Sequence, residues 1–530
     1  MIRRSLVVLG ISMMSGSVLV QDVSASQATR SHPMDQFSPD YQPVFEAPRG
    51  GRSSARKKPA QGGRTRPARP YVMKGDDLKA HRMFTEWASL MDLHKAPGAR
   101  EDELYRQWMC HPGPADPKAL LEGHRGILRD LLPGGEFREN QWGAAAGCAA
   151  AARQLLLGGK PYLEAAALRA EHVCGMINDP ATGVIFTQHG PTYRPSVFFK
   201  KSTPDKNASR MRAWGVENPE SFSDKDVYYT NWLMTGNSLR GVLRTIEWIL
   251  AHPEVHDLSA PQIPGYKRST GRTYKDKAVH WLMQAKGAYD HFERYQPFNE
   301  KEGMWIVNVY DKRQKTVVQR SLPVNRFFNF TASYLKTGAV LNQYDSTTYA
   351  SWYARAKKRT RQAIRYFRDS WNLPIWKGKY PTANRFGRLG VWGYGRNSSS
   401  EDFMHLGMDV EPMTQIHTIY PEAYEGDDLK VIVNTLFSGS YNYVSHSKFQ
   451  GLFRGVHPPA ANGQYKEGPR FGELTAPYLS DEMYDIMVRE HKLILDRWLE
   501  QKYYINRIFT RFNVPIELYL ARKARYGRTR

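Results

Sequence analysis

The feature that most limits what this chain can fold into is its unbroken succession of long amphipathic segments. From residue 75 onward, apolar residues recur at three- and four-residue steps in stretch after stretch, the spacing that lays one apolar stripe along an α-helix. The pattern predicts helices over residues 78–94, 117–132, 139–157, 163–178, 228–251, 275–294, 325–341, 347–371, 401–420, 427–436, 481–498 and 502–512. Strand-like pieces are confined to 183–187, 197–200 and 304–308, each lying between helices. So many helices joined by loops predict one all-α domain over 75–515, with a few short β pieces in the loops. No short fixed period of the solenoid kind runs through it. Paired helices closed into a ring fit better than an open stack, because long loops rich in Tyr, Trp, Gly and His can gather at one end of a ring and build a cleft.

The ends read differently from the body. Arg3 and Arg4, the mostly apolar run 6–20 and the small residues around Val23 and Ala25 form the pattern of a signal peptide over 1–25, which predicts export to the periplasm or the medium. Residues 26–74 are rich in Pro, Gly, Ser and Arg; from Arg49 to Lys74 there are nine Lys/Arg and no acid. That composition predicts a disordered basic linker. Arg522, Lys523, Arg525, Arg528 and Arg530 make 516–530 a second basic segment, a C-terminal tail. The formal charge of the whole chain is +23, so its partner is expected to be anionic. Export argues against nucleic acid as that partner. The basic ends are expected to touch an anionic cell surface, and a basic body rich in Trp and Tyr suits an anionic polysaccharide: ring faces stack on sugars and cations pair with carboxylates. No segment after the leader reaches the length of a membrane span, so a soluble exported protein is expected. Cys110, Cys148 and Cys174 are too few for a disulfide framework; they leave room for one bridge and one spare thiol.

The chemistry-bearing residues concentrate between Gly390 and His417. Glu401 and His405 stand four apart, and Asp402, His405 and Asp409 fall at i, i+3 and i+7, so a helix brings them to one face. Carboxylates beside an imidazole orient it and raise its basicity. The same acids also satisfy a simpler role: Ser398 and Glu401 match a capping box. Just upstream, Trp392, Tyr394 and Arg396 lie among glycines that allow close approach of a ligand. Asn325 opens a helix, where it serves either as a cap or as a donor to a substrate carboxylate. His189, Tyr193 and Arg194 beside a short strand, Asn231 at a helix start, and His457 and Arg470 in a Gly/Pro-rich loop complete the candidate substrate-binding set. There is no GxSxG, P-loop, GxGxxG or HExxH pattern, so neither a nucleotide cofactor nor a metal is expected. Calcium has no support in the sequence.

Pro323-Val324-Asn325, the following helix, the segment 353–367, Trp392-x-Tyr394 and Glu401-Asp402-x-x-His405-x-x-x-Asp409 together resemble a pattern of secreted (α/α)-toroid proteins. That superfamily includes alginate-lyase-like polysaccharide lyases and uronyl C5-epimerase domains. The resemblance covers residues 322–417 and, by helix content alone, the rest. It implies an (α/α)6-type incomplete toroid in which Asn325 neutralises a uronate carboxylate while Tyr394 and His405 move protons. Val324 stands where an aromatic is usual and Met404 where a small residue is, and the Asn-Asn-His-Ser helix of alginate lyases is absent. The leading expectation is therefore a secreted polysaccharide lyase acting by β-elimination on some other uronate-containing polymer. Its rivals are a uronyl C5-epimerase, a non-catalytic polysaccharide-binding or export protein, and a glycoside hydrolase pairing Glu401 or Asp402 with an acid elsewhere. Such a hydrolase, if inverting, would hold its two carboxyls about 6.5–9.5 Å apart.

Overall fold

Amphipathic helices form where the apolar spacing predicts them. The computed structural model describes residues 141–177, 185–187, 190–192, 232–263, 271–295, 298–311, 316–322, 324–371, 383–384, 387–390, 392 and 403–436, with a few positions near 118–125, 475–485 and 521. Of these, 80% are helical, which settles the class as all-α. The long helices are α1 (Gln141–Gly158), α2 (Leu163–Gly175), α3 (Trp232–Ala251), α4 (Tyr274–Tyr295), α5 (Val324–Tyr344), α6 (Ser346–Ser370), α7 (Phe403–Ile419) and the shorter α8 (Asp428–Thr435). The expected helices at 78–94 and 502–512 and the strand at 197–200 lie outside the described residues, as do the leader and the linker. Ala521, inside the expected tail 516–530, is helical and 3% exposed, so at least one position of that segment belongs to the core. Among the described residues no helix is long and apolar enough to cross a membrane.

Consecutive helices pair antiparallel. Gln141 at the start of α1 donates to the Met176 carbonyl just past the end of α2. Trp232 at the start of α3 packs against Phe292 near the end of α4, with ring centroids 5.0 Å apart and the rings tilted. Phe328 early in α5 meets Phe367 late in α6 at 4.8 Å. A single residue, Asp345, joins α5 to α6; its carboxylate caps α6 by accepting the Thr348 amide at 3.0 Å, which sets the helix start sharply.

The first members of the pairs form a layer of their own. Gly241 of α3 lies so close to α1 that a Cβ there would be 2.5 Å from the Cys148 carbonyl carbon. Gly236 of α3 comes equally close to the Asn329 backbone of α5, and Ser333 donates to the Gly236 carbonyl at 2.8 Å. Further along both helices Lys336 pairs with Glu247, so α3 and α5 run in the same direction. Asn329 reaches Met408 at the start of α7, and Tyr420 beyond its end bonds Arg361, halfway along α6; α7 is therefore parallel to α5 as well. The second members pack outside: α2 meets α4 through Glu171, which accepts from buried Lys277 at 3.0 Å and from the Trp281 indole at 2.7 Å.

Between the layers sits an aromatic core. Trp232, Tyr289, Phe292, Trp305, Phe330 and Tyr334 are all buried and meet mostly edge to face. Each such pair adds about 0.5–1.5 kcal/mol beyond its area burial. Trp305 comes from a small antiparallel sheet, β3 (Phe298–Asn299), β4 (Met304–Asp311) and β5 (Thr316–Ser321), in the order β3-β4-β5. The sequence predicts the first part of β4 but neither of its neighbours. β5 is six residues long, with two adjacent valines followed by polar residues, so no period of two stands out in it. β1 (Ile185–Thr187) lies where a strand is expected, and its antiparallel partner β2 (Gly190–Thr192) falls in the stretch read as a loop. A second small hairpin, β6 (Ala383–Asn384) with β7 (Gly387–Arg388), precedes Trp392.

Cys148 and Cys174 are both buried free thiols, so the bridge that three cysteines leave room for is not formed between these two. Burial pushes the Cys148 thiol up to about 12.

Candidate functional site

The inner helices α1, α3, α5 and α7 each contribute a polar side chain to one buried network. Glu411 of α7, 3% exposed, accepts from Arg153 of α1 at 3.2 Å and from Arg240 of α3. Arg240 also donates to Asn237 on its own helix at 3.0 Å and to the Asn329 side-chain oxygen of α5. The Asn329 amide then donates to the Met408 carbonyl at 2.8 Å. Burial alone would raise the Glu411 carboxyl, but Arg240, Arg153 and Arg244, with the hydrogen bond from Arg240, outweigh it and hold it below the ordinary carboxylate value. A second pair, Lys336 with Glu247, lies further along α3 and α5. Among the described residues, Arg153, Arg240, Arg244 and Lys336 thus face the carboxylates of Glu411 and Glu247, an excess of positive charge.

The Met408 carbonyl has a specific reason to need Asn329. Pro412 stands inside α7, four residues after Met408. Proline has no N–H, so the helix cannot supply the usual i→i−4 donor to that carbonyl. The Asn329 side chain supplies it instead, and in doing so ties α5 to α7 near the start of both.

That tie bears on the expected catalytic residues. Asn325 lies one helical turn before Asn329, and His405 lies three residues before Met408, so the backbone of both belongs to neighbouring, parallel helix starts. Asn231 immediately precedes α3, which runs in the same direction. The side chains of Asn325 and His405 lie outside what is described, and Glu401, Asp402, Tyr394, Arg396, His189, Tyr193, Arg194, Asn231, His457 and Arg470 lie outside the described residues altogether.

Two expectations are corrected. The sequence offers Trp392 and Asp409 as candidate substrate-binding residues; both are core residues, 1% and 0% exposed. The Trp392 indole donates to an Asp409 carboxylate oxygen at 3.1 Å, and its ring packs edge-on against Phe367 at 5.2 Å. A buried indole needs a hydrogen-bond acceptor and a buried carboxylate needs donors, and each meets part of that need in the other. Neither presents a surface to a substrate. They anchor the segment leading to Tyr394 against the second turn of α7.

Sequence reasoning missed Arg153, Asn329 and Glu411. Among the described residues no group of three or more His, Cys, Asp or Glu could hold a metal ion. No protein-family model matches the chain, and no curated protein matches it.

Proposed function

We propose that this chain is an exported (α/α)-toroid polysaccharide lyase that cleaves a uronate-containing polymer by β-elimination. The observation that carries the reading is the Asn329–Met408 hydrogen bond, because it sets the start of α5, with Asn325, beside the start of α7, with His405. The connections support it. Residues 176–231, 296–323 and 372–402 lead from an outer helix into α3, α5 and α7, whereas α1–α2 and α5–α6 turn around in four residues or fewer. The long connections carry His189, Tyr193, Arg194, Asn231, Tyr394, Arg396, Glu401 and Asp402. Parallel inner helices enclosed by antiparallel outer ones are the layout that a toroid needs.

In this reading the Asn325 amide donates to the uronate carboxylate and makes the C5 proton easier to remove. His405 or Tyr394 takes that proton, with Glu401 and Asp402 orienting the imidazole. The C4–O bond breaks, a C4=C5 double bond forms, and the leaving oxygen receives a proton from the Tyr394 hydroxyl. Arg396, His457 and Arg470 bind the neighbouring carboxylates. The reaction needs no redox or nucleotide cofactor. The excess of cations among the described inner side chains favours an anionic chain over a neutral one.

The test is incubation with a panel of uronate polymers while following the ultraviolet absorbance of the unsaturated product. Asn325→Ala, Tyr394→Phe and His405→Ala are expected to lose on the order of 10²–10⁴-fold in rate with circular dichroism unchanged. Reducing ends released without absorbance would replace the lyase by a hydrolase. Solvent exchange at C5 without cleavage would replace it by an epimerase.

A further inference from the structure

Helix α6 carries a row of cations, and most of them are neutralised. Arg355 and Arg359 pair with Glu293, Lys358 with Glu300, and Arg365 and Arg368 with Glu425. Lys357 and Arg361 differ: neither pairs with a carboxylate among the described residues. Their neighbours are phenol rings. The Lys357 ammonium lies 4.7 Å from the Tyr353 ring centre and 5.8 Å from that of Tyr420. The Arg361 guanidinium sits 5.4 Å from the Tyr420 ring and donates to its hydroxyl. Tyr353, Lys357 and Arg361 are spaced at i, i+4 and i+8, so they form one stripe along α6, on the flank that meets Tyr420. All four residues are half-buried, with part of each side chain open to water. Burial raises the Tyr353 phenol, helped by Glu422 and Tyr420; Glu422 is exposed nearby but makes no ion pair with either cation.

We infer that Tyr353, Lys357, Arg361 and Tyr420 form a second docking site for an acidic polysaccharide, separate from the cleft. Two cations left over after an entire helix face has been neutralised present unspent charge. Phenol rings beside them offer the flat apolar surface on which a sugar ring stacks while its carboxylate meets the cation. Tyr420 lies at the far end of α7, about 22 Å along the helix axis from His405, so a bound chain here does not occupy the reacting centre. The site would hold long polymer near the enzyme and leave short fragments unaffected, raising effective concentration without taking part in the chemistry.

The inference rests on the acidic-polymer reading above, and its test separates the two. Electrophoresis through gels containing polygalacturonate, with neutral dextran as control, measures binding of the full chain, Lys357→Gln, and Lys357→Gln with Arg361→Gln. The wild type is expected to be retarded by the polyanion alone, less so as salt rises. The double variant should bind roughly five- to tenfold more weakly and cleave a short oligouronide at the wild-type rate. Lys357→Gln removes an ammonium that makes no ion pair, so it keeps the fold and should show about half of the effect on a logarithmic scale. Equal retardation of wild type and double variant, or no retardation of the wild type, would overturn the proposal. Retardation lost in the variants with no unsaturated product from any polymer would keep the docking site and remove the lyase.

Discussion

The side-chain amide of Asn329 donates to the main-chain carbonyl of Met408 across 2.8 Å, filling the place that Pro412 leaves empty in the hydrogen-bond ladder of α7. A proline inside a helix normally weakens it by about 3 kcal/mol. Here its missing donor comes from the neighbouring helix, and the same asparagine accepts from Arg240. One residue thus links α3, α5 and α7 at the end where α5 and α7 begin.

Asn329→Ala removes both interactions from a buried site and should cost about 2–3 kcal/mol. If the amide stands in for the proline's absent N–H, restoring that N–H should reduce the cost. In a Pro412→Ala background, Asn329→Ala is expected to cost at least about 1 kcal/mol less than in the wild type. Urea denaturation of the four proteins measures the coupling. Additive effects would mean that Asn329 and Pro412 act independently.

Glu411 makes acid stability measurable. Its carboxyl is held below the ordinary value of 4.5, so its contribution is fully present above that pH and is lost as pH falls through the depressed folded value. Glu411→Gln keeps the shape but takes the negative charge from between Arg153 and Arg240, and should cost about 3 kcal/mol at pH 7. Thermal melts from pH 7 down to pH 2 should show the gap between wild type and variant narrowing below pH 4.5. A constant gap across that range would show that the charge of Glu411 does not stabilise the fold.

Two helical glycines should respond in opposite directions to the same change. At Gly236 a Cβ would lie 2.6 Å from the Asn329 carbonyl oxygen, and main chain cannot swing away. At Gly287 in α4 nothing lies within 4 Å. Helix propensity favours alanine by about 1 kcal/mol at either position. Gly287→Ala should therefore stabilise by up to that amount, while overpacking in Gly236→Ala outweighs it and leaves a net loss of about 1–3 kcal/mol. Melting temperatures on the two single variants decide the matter.

The helices were legible because each buries one stripe over many turns, so the period repeats often enough to be read. The apolar spacing puts helices at 325–341 and 347–371, within a few positions of their ends in the structure, and Asp345 between them is a cap. The strands β3 and β5 were not legible: two and six residues give the alternation too little length, and their pairing is set by the sheet. At the site, residue type misled where burial decides the role. Trp392 and Asp409 look like substrate-binding residues when read singly, and become a core pair once Phe367 and α7 close over them. Arg153, Arg240, Asn329 and Glu411 come from four helices, and no local pattern announces a network assembled across such distances in sequence.

The Trp392–Asp409 pair gives the clearest separation between a binding role and an anchoring one. If Trp392 were a stacking platform, Trp392→Phe would keep a ring, and its effect would fall mainly on KM. As a core anchor, Trp392→Phe deletes the indole donor to a buried carboxylate and should cost about 1.5–3 kcal/mol. Asp409→Asn retains an oxygen that can accept from the indole, so it should be milder than Asp409→Ala, in which the indole loses its acceptor. Tyr394 follows Trp392 by two residues, so under the proposed lyase reading loosening the anchor should also lower kcat on a uronate polymer, together with a fall in the melting temperature. Denaturation midpoints together with the kcat and KM of these three variants test the assignment. A rise in KM with the melting temperature unchanged would return Trp392 to the substrate-binding set.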